Sequence, residues 1–564
     1  MPHSSTTSTA GFATEPYYPR SRCADSALHG FVPGDEARTW RLDFHFPRGI
    51  LPLSHDLVAD GMVTASAEAA RTLPLPSSAG LECRVAGTHV YTGARPLDPG
   101  EAAARAESAA AVAAVFPEQF PRFWAQRAQE IQRRLGPLEH AGLRDVAPGT
   151  VAAYYRRAVE AHRYAWQVHF EVMYRLLLVY DRFIGVCAES GVSRAAALEA
   201  LRGDDTKILA TARGLVGLAE RAQEAGLADV FERHRGQELY GALRNNGAAA
   251  DWLTDLDAFL ETYGHRCEGV IDVSWPSWRE DPGRPLDLIR ALLRNGHDRV
   301  AHTAAERPSS TSGEDITAGL GPVAARTVRA ALAEARRANF MWWNEEHNFY
   351  IDLRAHLPVR RAGLAAGAAF LDRAEDGLLL FGEELLALCE GRLDAGELSG
   401  PVAERRAYHS RWQRRRRELP TVIGTPSADD PIIREIFGLG DVEAPLTTSS
   451  ATNLMITGLG ASAGVARGRA RVLRSPDDIT GLRQGDVLVC EATTPNWTPA
   501  FPLLAACVCD SGGALTHAAI ISREYGLPCV VATGNATRLV RDGDRVEVDG
   551  GRGLVTVLSR EAAV

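Results

Sequence analysis

The segment Ser511-Gly512-Gly513-Ala-Leu-Thr516-His517-Ala-Ala-Ile-Ile-Ser-Arg523-Glu524-Tyr-Gly526-Leu-Pro528 admits few local folds. Two consecutive glycines reach backbone conformations closed to other residues, Thr516 is a good N-cap, and Gly526 followed by Pro528 is a stop signal. The pattern predicts a turn and then a helix from about 517 to 525, with His517 at its mouth. Unpaired backbone N–H groups and the positive end of the helix dipole favour an anion there. A histidine so placed suits a nucleophile that carries a phosphoryl group, with Thr516 at its side and Gly512 and Gly513 as the phosphate-binding turn. The plain alternative is a half-buried histidine behind a capping threonine.

Short strand patterns flank this segment. Upstream lie Gly458-Leu-Gly-Ala-Ser462-Ala-Gly464, Gly485-Asp486-Val-Leu-Val and Thr493-Thr494-Pro495-Asn-Trp497-Thr498-Pro499. Downstream, Asp542-Gly543 and Asp549-Gly550 read as turns between alternating runs. Together they make a β/α module of about 105 residues, large enough for its own core. The module resembles the swivelling phosphohistidine domain of the phosphoenolpyruvate-utilising enzyme superfamily, which includes phosphoenolpyruvate synthase, pyruvate phosphate dikinase, rifampicin phosphotransferase and phenylphosphate synthase. The resemblance implies that His517 is the phosphorylated residue.

At 564 residues the chain has room for two to four domains, and 45% hydrophobic with 24% charged residues is an ordinary balance. A net charge of −9 and a pI near 6.0 argue against nucleic acid as a partner, since phosphate backbones need a basic stripe. The run from Arg411 to Arg417 is the one strong basic cluster and reads as a solvated helix face or linker end. No apolar stretch reaches membrane-spanning length and the N-terminus lacks an apolar signal core, so a cytoplasmic protein with no membrane partner is expected. Nine scattered cysteines fit reduced thiols, and Cys507-Val-Cys509, without a second pair, does not suggest zinc. No metal site is expected on this chain. A single lysine, Lys207, among many alanines suggests a high-GC, actinobacterial source.

The expected fold class is multidomain α+β: a mostly helical central region with a small N-terminal β-containing part, and a C-terminal swivelling β/α domain. Residues 1–37 read as a mobile, Ser/Thr-rich leader. Residues 38–425 form the largely helical acceptor region, with short strands over 38–100 and the longest amphipathic stretch from Val151 to Val186. Residues 426–455 are polar and aperiodic, as a linker should be, and the swivelling domain spans 456–564. Three central segments extend the family resemblance: Phe259 to Pro282, which contains Tyr263-Gly264-His265-Arg266-Cys-Glu268-Gly269-Val-Ile-Asp272; Trp40-Arg-Leu-Asp43-Phe-His45-Phe-Pro47; and Glu345-Glu346-His347-Asn348-Phe-Tyr350-Ile-Asp352. They look like the acceptor region of rifampicin phosphotransferase and phenylphosphate synthase-like proteins.

His265, Arg266, Glu268 and Asp272, with Glu345, Glu346 and His347 and with His45, are therefore the candidate substrate-binding residues. Their density suits a base for the acceptor and a cation for phosphate, while a buried ion-pair network joining helices explains them equally well. Arg523 sits about 120° around the helix from His517, and it and Glu524 read as structural or docking residues. Family members that charge their own histidine carry an ATP-grasp domain, and those that use phosphoenolpyruvate carry a barrel; neither pattern occurs in this sequence, nor does a P-loop. A separate ATP-grasp protein is then the expected partner, with Mg2+ bound alongside ATP on that subunit. The leading expectation is a phosphotransferase component, a split kinase subunit, that carries a phosphoryl group on His517 to a hydroxyl of a small secondary-metabolite or aromatic substrate. The alternatives are a dehydratase or lyase using His517 as acid/base, or by phosphorylation and elimination, and a non-catalytic phosphocarrier.

Overall fold

A computed structural model describes residues 17–18, 27–73, 75, 77–203, 205–295, 316–424, 435, 447–449 and 454–560. The Ser/Thr-rich start of the expected leader and most of the expected linker lie outside the described residues. The strands are β1 (His29–Gly30), β2 (Thr39–Leu42), β3 (Leu81–Ala86), β4 (His89–Ala94), β5 (Val422–Gly424), β6 (Thr447–Ser449), β7 (Leu454–Thr457), β8 (Leu459–Ser462), β9 (Val465–Val472), β10 (Asp486–Cys490), β11 (Leu504–Cys509), β12 (Cys529–Val531), β13 (Arg545–Asp549) and β14 (Leu554–Ser559). The helices used below are α1 (Pro99–Glu139), α2 (Pro148–Glu189), α3 (Lys207–Glu224), α4 (Ala250–Tyr263), α5 (Gly283–Asn295), α6 (Phe340–Tyr350), α7 (Leu357–Phe370), α8 (Ala395–Arg415) and α9 (His517–Tyr525). The α+β class expected from the sequence is what forms. The chain divides into two units, residues 1–182, 269–275 and 350–430 in the first, and 183–268, 276–349 and 431–564 in the second.

The first unit has a five-stranded sheet in the order β1-β3-β4-β2-β5. Its β3–β4 hairpin turns at Gly87, whose φ of +61° favours glycine and whose place against the indole of Trp412 leaves no room for a side chain. Trp40 on β2 is fully buried, donates to the Asp35 carbonyl at 2.8 Å, and is flanked by the Arg38 and Arg84 guanidiniums. The His29–Gly30 part of the expected leader pairs in parallel with β3. Helix α1 starts on Asp98, whose carboxylate accepts from the Gly100 N–H, and buries Phe116, Phe120, Trp124, Ile131 and Leu135 at spacings of four and seven.

The second unit joins helices α3, α4 and α5 to a nine-stranded sheet in the order β6-β7-β14-β13-β9-β10-β11-β12-β8. Strands β9 to β12 are parallel, and β12 is edged by antiparallel β8. Strands β10, β11 and β12 read as nearly continuous apolar runs because both faces are covered, whereas β9 carries Arg467, Arg469 and Arg471. On one face Val487, Val489 and Val508 pack with Val546, Val548 and Val555; on the other Leu488, Cys507 and Leu504 join Leu215, Trp252 and Ile289 from the helices. β6 lies within the expected linker and pairs with β7.

Candidate functional site

Helix α9 starts at His517 and stops at Gly526, which takes a left-handed φ of +62°. Thr516 is the residue before the helix, but its hydroxyl donates to the Gly513 carbonyl at 2.8 Å and makes no side-chain cap to the helix. The turn therefore holds itself shut through Thr516, and Gly512, with φ +119°, lets the chain double back. The hydroxyls on the imidazole come instead from Thr493, 2.8 Å from Nδ1, and Thr498, 3.0 Å from Nε2. Neither was singled out in the sequence; the only signal was their place in the Thr-Thr-Pro-Asn-Trp-Thr-Pro segment. Thr498 spends its proton on the Pro495 carbonyl at 2.7 Å, so it meets Nε2 as an acceptor. Nε2 then carries the ring proton, and Thr493 donates to Nδ1.

His517 is only 6% exposed. Burial, and then the Arg266 charge, push its pKa down to about 3, which leaves the ring neutral at pH 7. The phenyl edge of Phe501 meets it at 5.7 Å. A Glu345 carboxylate oxygen lies 3.8 Å from Nε2, with Glu345 1% exposed. With the imidazole neutral this is no ion pair, but a carboxylate facing an N–H. Arg266, also buried, donates to the Pro495 carbonyl and to Asn496 Oδ1, each at 3.1 Å, and stacks on Trp278 at 4.8 Å. Burial lowers its pKa to about 10, so it stays a cation.

Of the candidate substrate-binding residues, Glu345 thus meets His517 and Arg266 acts on it through its charge, while the others make the contacts that follow. Glu268 accepts from the Trp278 indole at 2.9 Å and from Arg284 at 3.1 Å. Glu346 accepts from the Lys207 N–H at 2.7 Å and so caps α3; burial raises its pKa. His347 stacks on Trp343 and has Nδ1 2.9 Å from the Trp343 carbonyl. His265 lies edge-on to Phe349 at 4.8 Å. Asp272 and His45 belong to the first unit. There Asp272 accepts from the Ser274 N–H and hydroxyl, and burial raises its pKa. His45 Nδ1 lies 2.7 Å from Asp43; burial opposes its charge, but Asp43 raises its pKa overall. An open cleft of about 780 Å³ in the same unit is bordered by His55, Asp56, Tyr155, Arg163 and Phe381 and by none of the candidate residues.

The docking contacts around α9 are polar at its ends. Glu524 accepts from the Gly203 N–H at 3.2 Å, Arg523 reaches back to the Ala514 carbonyl at 2.7 Å, and Asn344 donates to the Leu515 carbonyl at 3.5 Å. The Leu515 N–H donates to the carbonyl of Glu435, whose carboxylate pairs with Arg194.

The site is thus a sheet module that presents a buried histidine at a helix start, and the modules of this chain are recognisable in known proteins. Residues 482–553 match the mobile domain of PEP-utilising enzymes, and residues 169–345 match the fourth domain of rifampicin phosphotransferase. The chain is built from modules of the phosphoenolpyruvate-utilising superfamily, and is related to its phosphotransferases. It is 30% identical over 558 residues to the chondramide synthase cmdD of Chondromyces crocatus, which covers 93% of this chain and 14% of that protein. The uncharacterized phosphotransferase YvkC of Bacillus subtilis (strain 168) is 30% identical over 409 residues, 70% of this chain and 48% of its own. A rifampicin phosphotransferase of Bacillus cereus is 30% identical over 318 residues, 54% of this chain and 34% of its own. The chain thus spans less than half the length of each of these relatives.

Proposed function

We propose that the chain is the carrier and acceptor part of a phosphotransferase, in which His517 takes a phosphoryl group from a donor held by a separate ATP-grasp protein and passes it to a hydroxyl of a small molecule. The observation that carries this reading is the neutral His517 at the start of α9, gripped by Thr493 and Thr498 and faced by Glu345 and Arg266. In the first half-reaction an imidazole nitrogen attacks phosphorus, the P–N bond forms and the donor's P–O bond breaks. In the second, the acceptor oxygen attacks, the P–N bond breaks, and the hydroxyl proton passes to a base. Glu345 is the buried carboxylate nearest the ring and fits that role, with Arg266 to offset phosphoryl charge. The donor nucleotide and its Mg2+ belong, in this reading, to the partner.

An acid role for His517 is the weaker alternative. A pKa near 3 leaves about one ring in ten thousand protonated at pH 7, so a general acid would work against its surroundings. The experiment is incubation with ATP labelled at the β or γ phosphate, with and without a candidate ATP-grasp protein, followed by assay of acid-labile label on wild type and His517→Ala. Label that needs both the partner and His517 is the expected result. Absence of label with every donor, while His517→Ala still abolishes turnover of a hydroxylated metabolite, would overturn it in favour of lyase chemistry.

A further inference from the structure

Every polar edge of His517 is already occupied, and by groups of one kind on the Nε2 side. Thr498 presents a lone pair at 3.0 Å because its proton is committed to the Pro495 carbonyl, and Glu345 presents a carboxylate at 3.8 Å. Both are acceptors, and an acceptor pair receives an N–H. A phosphoryl group needs the reverse, because its oxygens bring negative charge and take donors. Arg266, whose charge acts on the ring, turns Nη2 to Pro495 and Asn496 and so offers its charge more than an N–H to the Nε2 side.

We infer that this contact is specific to the discharged carrier, and that Glu345 is the residue that reads the charge on His517: it closes on the bare imidazole with its proton on Nε2, and rejects the ring phosphorylated at that nitrogen, which takes up the group away from this contact, in the other tautomer. This rests on the reading of His517 as a phosphocarrier. A dianion beside a buried carboxylate is repelled more strongly than at the surface, because little water screens the pair. The rest of the dock is largely apolar, and of it Phe501 meets the ring by its edge. Residues 495–503 pack on α3 and residues 476–481 on α5, with Trp497, Phe501 and Ile479 buried there. Charging therefore opens the mouth of α9 against α6, while the apolar contacts of the module act against wholesale release. The acceptor gains entry when the carrier arrives loaded, and Glu345 returns to Nε2 once the group has left.

The test needs no donor and no acceptor. In the full chain, His517→Glu places a carboxylate where the phosphoryl would sit, and His517→Gln, of equal size, places a neutral amide. Hydrogen exchange is followed by mass spectrometry over residues 511–524 and 340–349. The expected result is wild-type protection in H517Q, about tenfold faster exchange in H517E, and recovery to within about twofold in the double variant H517E/E345Q. Equal exchange in H517E and H517Q, or no recovery on removing the Glu345 charge, overturns the inference; wild-type exchange over β10 and β11 confirms that the sheet is intact. Because these variants carry no phosphoryl group, failure here leaves the labelling result untouched, and failure to label His517 leaves the exchange result untouched.

Discussion

Removing an imidazole from water disfavours its cation, and at His517 burial and the Arg266 charge act in the same direction. The consequence for stability has a definite sign. The unfolded ring takes up a proton below about 6.5, the folded ring only near 3, so between those values the unfolded chain binds more protons and stability falls with pH. His162, His356 and His409 are depressed in the same way, so the wild-type profile alone is a sum over several rings. The difference between wild type and His517→Gln isolates one of them. From pH 6.5 downward, wild type should lose stability relative to that variant by up to about 1.4 kcal/mol per pH unit, seen as a falling difference in thermal midpoint. A flat difference between pH 6.5 and 5 would mean that His517 is solvated. The histidine itself was legible from its helix-start signals. Its hydroxyl partners were not, because Thr493 and Thr498 are 24 and 19 residues away in sequence and only the sheet brings them to the ring. Thr516, the nearer candidate, turned to the Gly513 carbonyl because that bond closes the turn locally.

Two glycines with nearly the same φ show what the punctuation of an element is worth. Gly526 ends α9 at φ +62° and a Cβ there would meet nothing within 4 Å; Gly87 turns the β3–β4 hairpin at φ +61°, where a Cβ would lie 2.0 Å from the Trp412 ring. Gly526→Ala should therefore cost about 1 to 2 kcal/mol, the left-handed strain alone. Gly87→Ala carries the same strain plus displacement of a buried indole, and should exceed it by about 1 to 3 kcal/mol. Thermal midpoints of the two variants test the ordering, and equal losses would show that the hairpin shifts to make room. Helix α9 was readable because its start and stop are local chemistry. At α3 only half of the cap is local: Thr206 accepts from the Leu209 N–H at 3.3 Å, but the acceptor for the Lys207 N–H is Glu346, 139 residues away, and a glutamate in a Glu-Glu-His run reads as a site residue. The sequence placed both readings in view; which one holds depends on which backbone N–H the fold delivers.

At the scale of the molecule, the chain passes between its two units after residues 182, 268, 275, 349 and 430. No pattern of composition marks such passages, and residues 269–275, which look like part of one continuous motif with His265 and Arg266, join the other unit. That is why His45 and Asp272 were grouped with His517 from sequence and do not meet it within its unit. The C-terminal sheet, by contrast, is contiguous in sequence, and its two faces differ in ownership. Among the described residues, Ile456 packs with residues of the sheet module, and Phe501 with residues drawn from the module and from the helices of its unit. Both are fully buried. Ile456→Ala should cost the module about 2 to 5 kcal/mol and speed exchange within the sheet while α3 and α5 remain as in wild type. Phe501→Ala, at about 3 to 5 kcal/mol, should speed exchange on both sides, in β10 and β11 as well as in α3, because the core it empties is shared. If the two variants loosen the same peptides, the sheet has no core of its own and cannot carry His517 as a rigid body; if they separate as expected, the module holds its shape independently of the face it docks, which a carrier that travels requires.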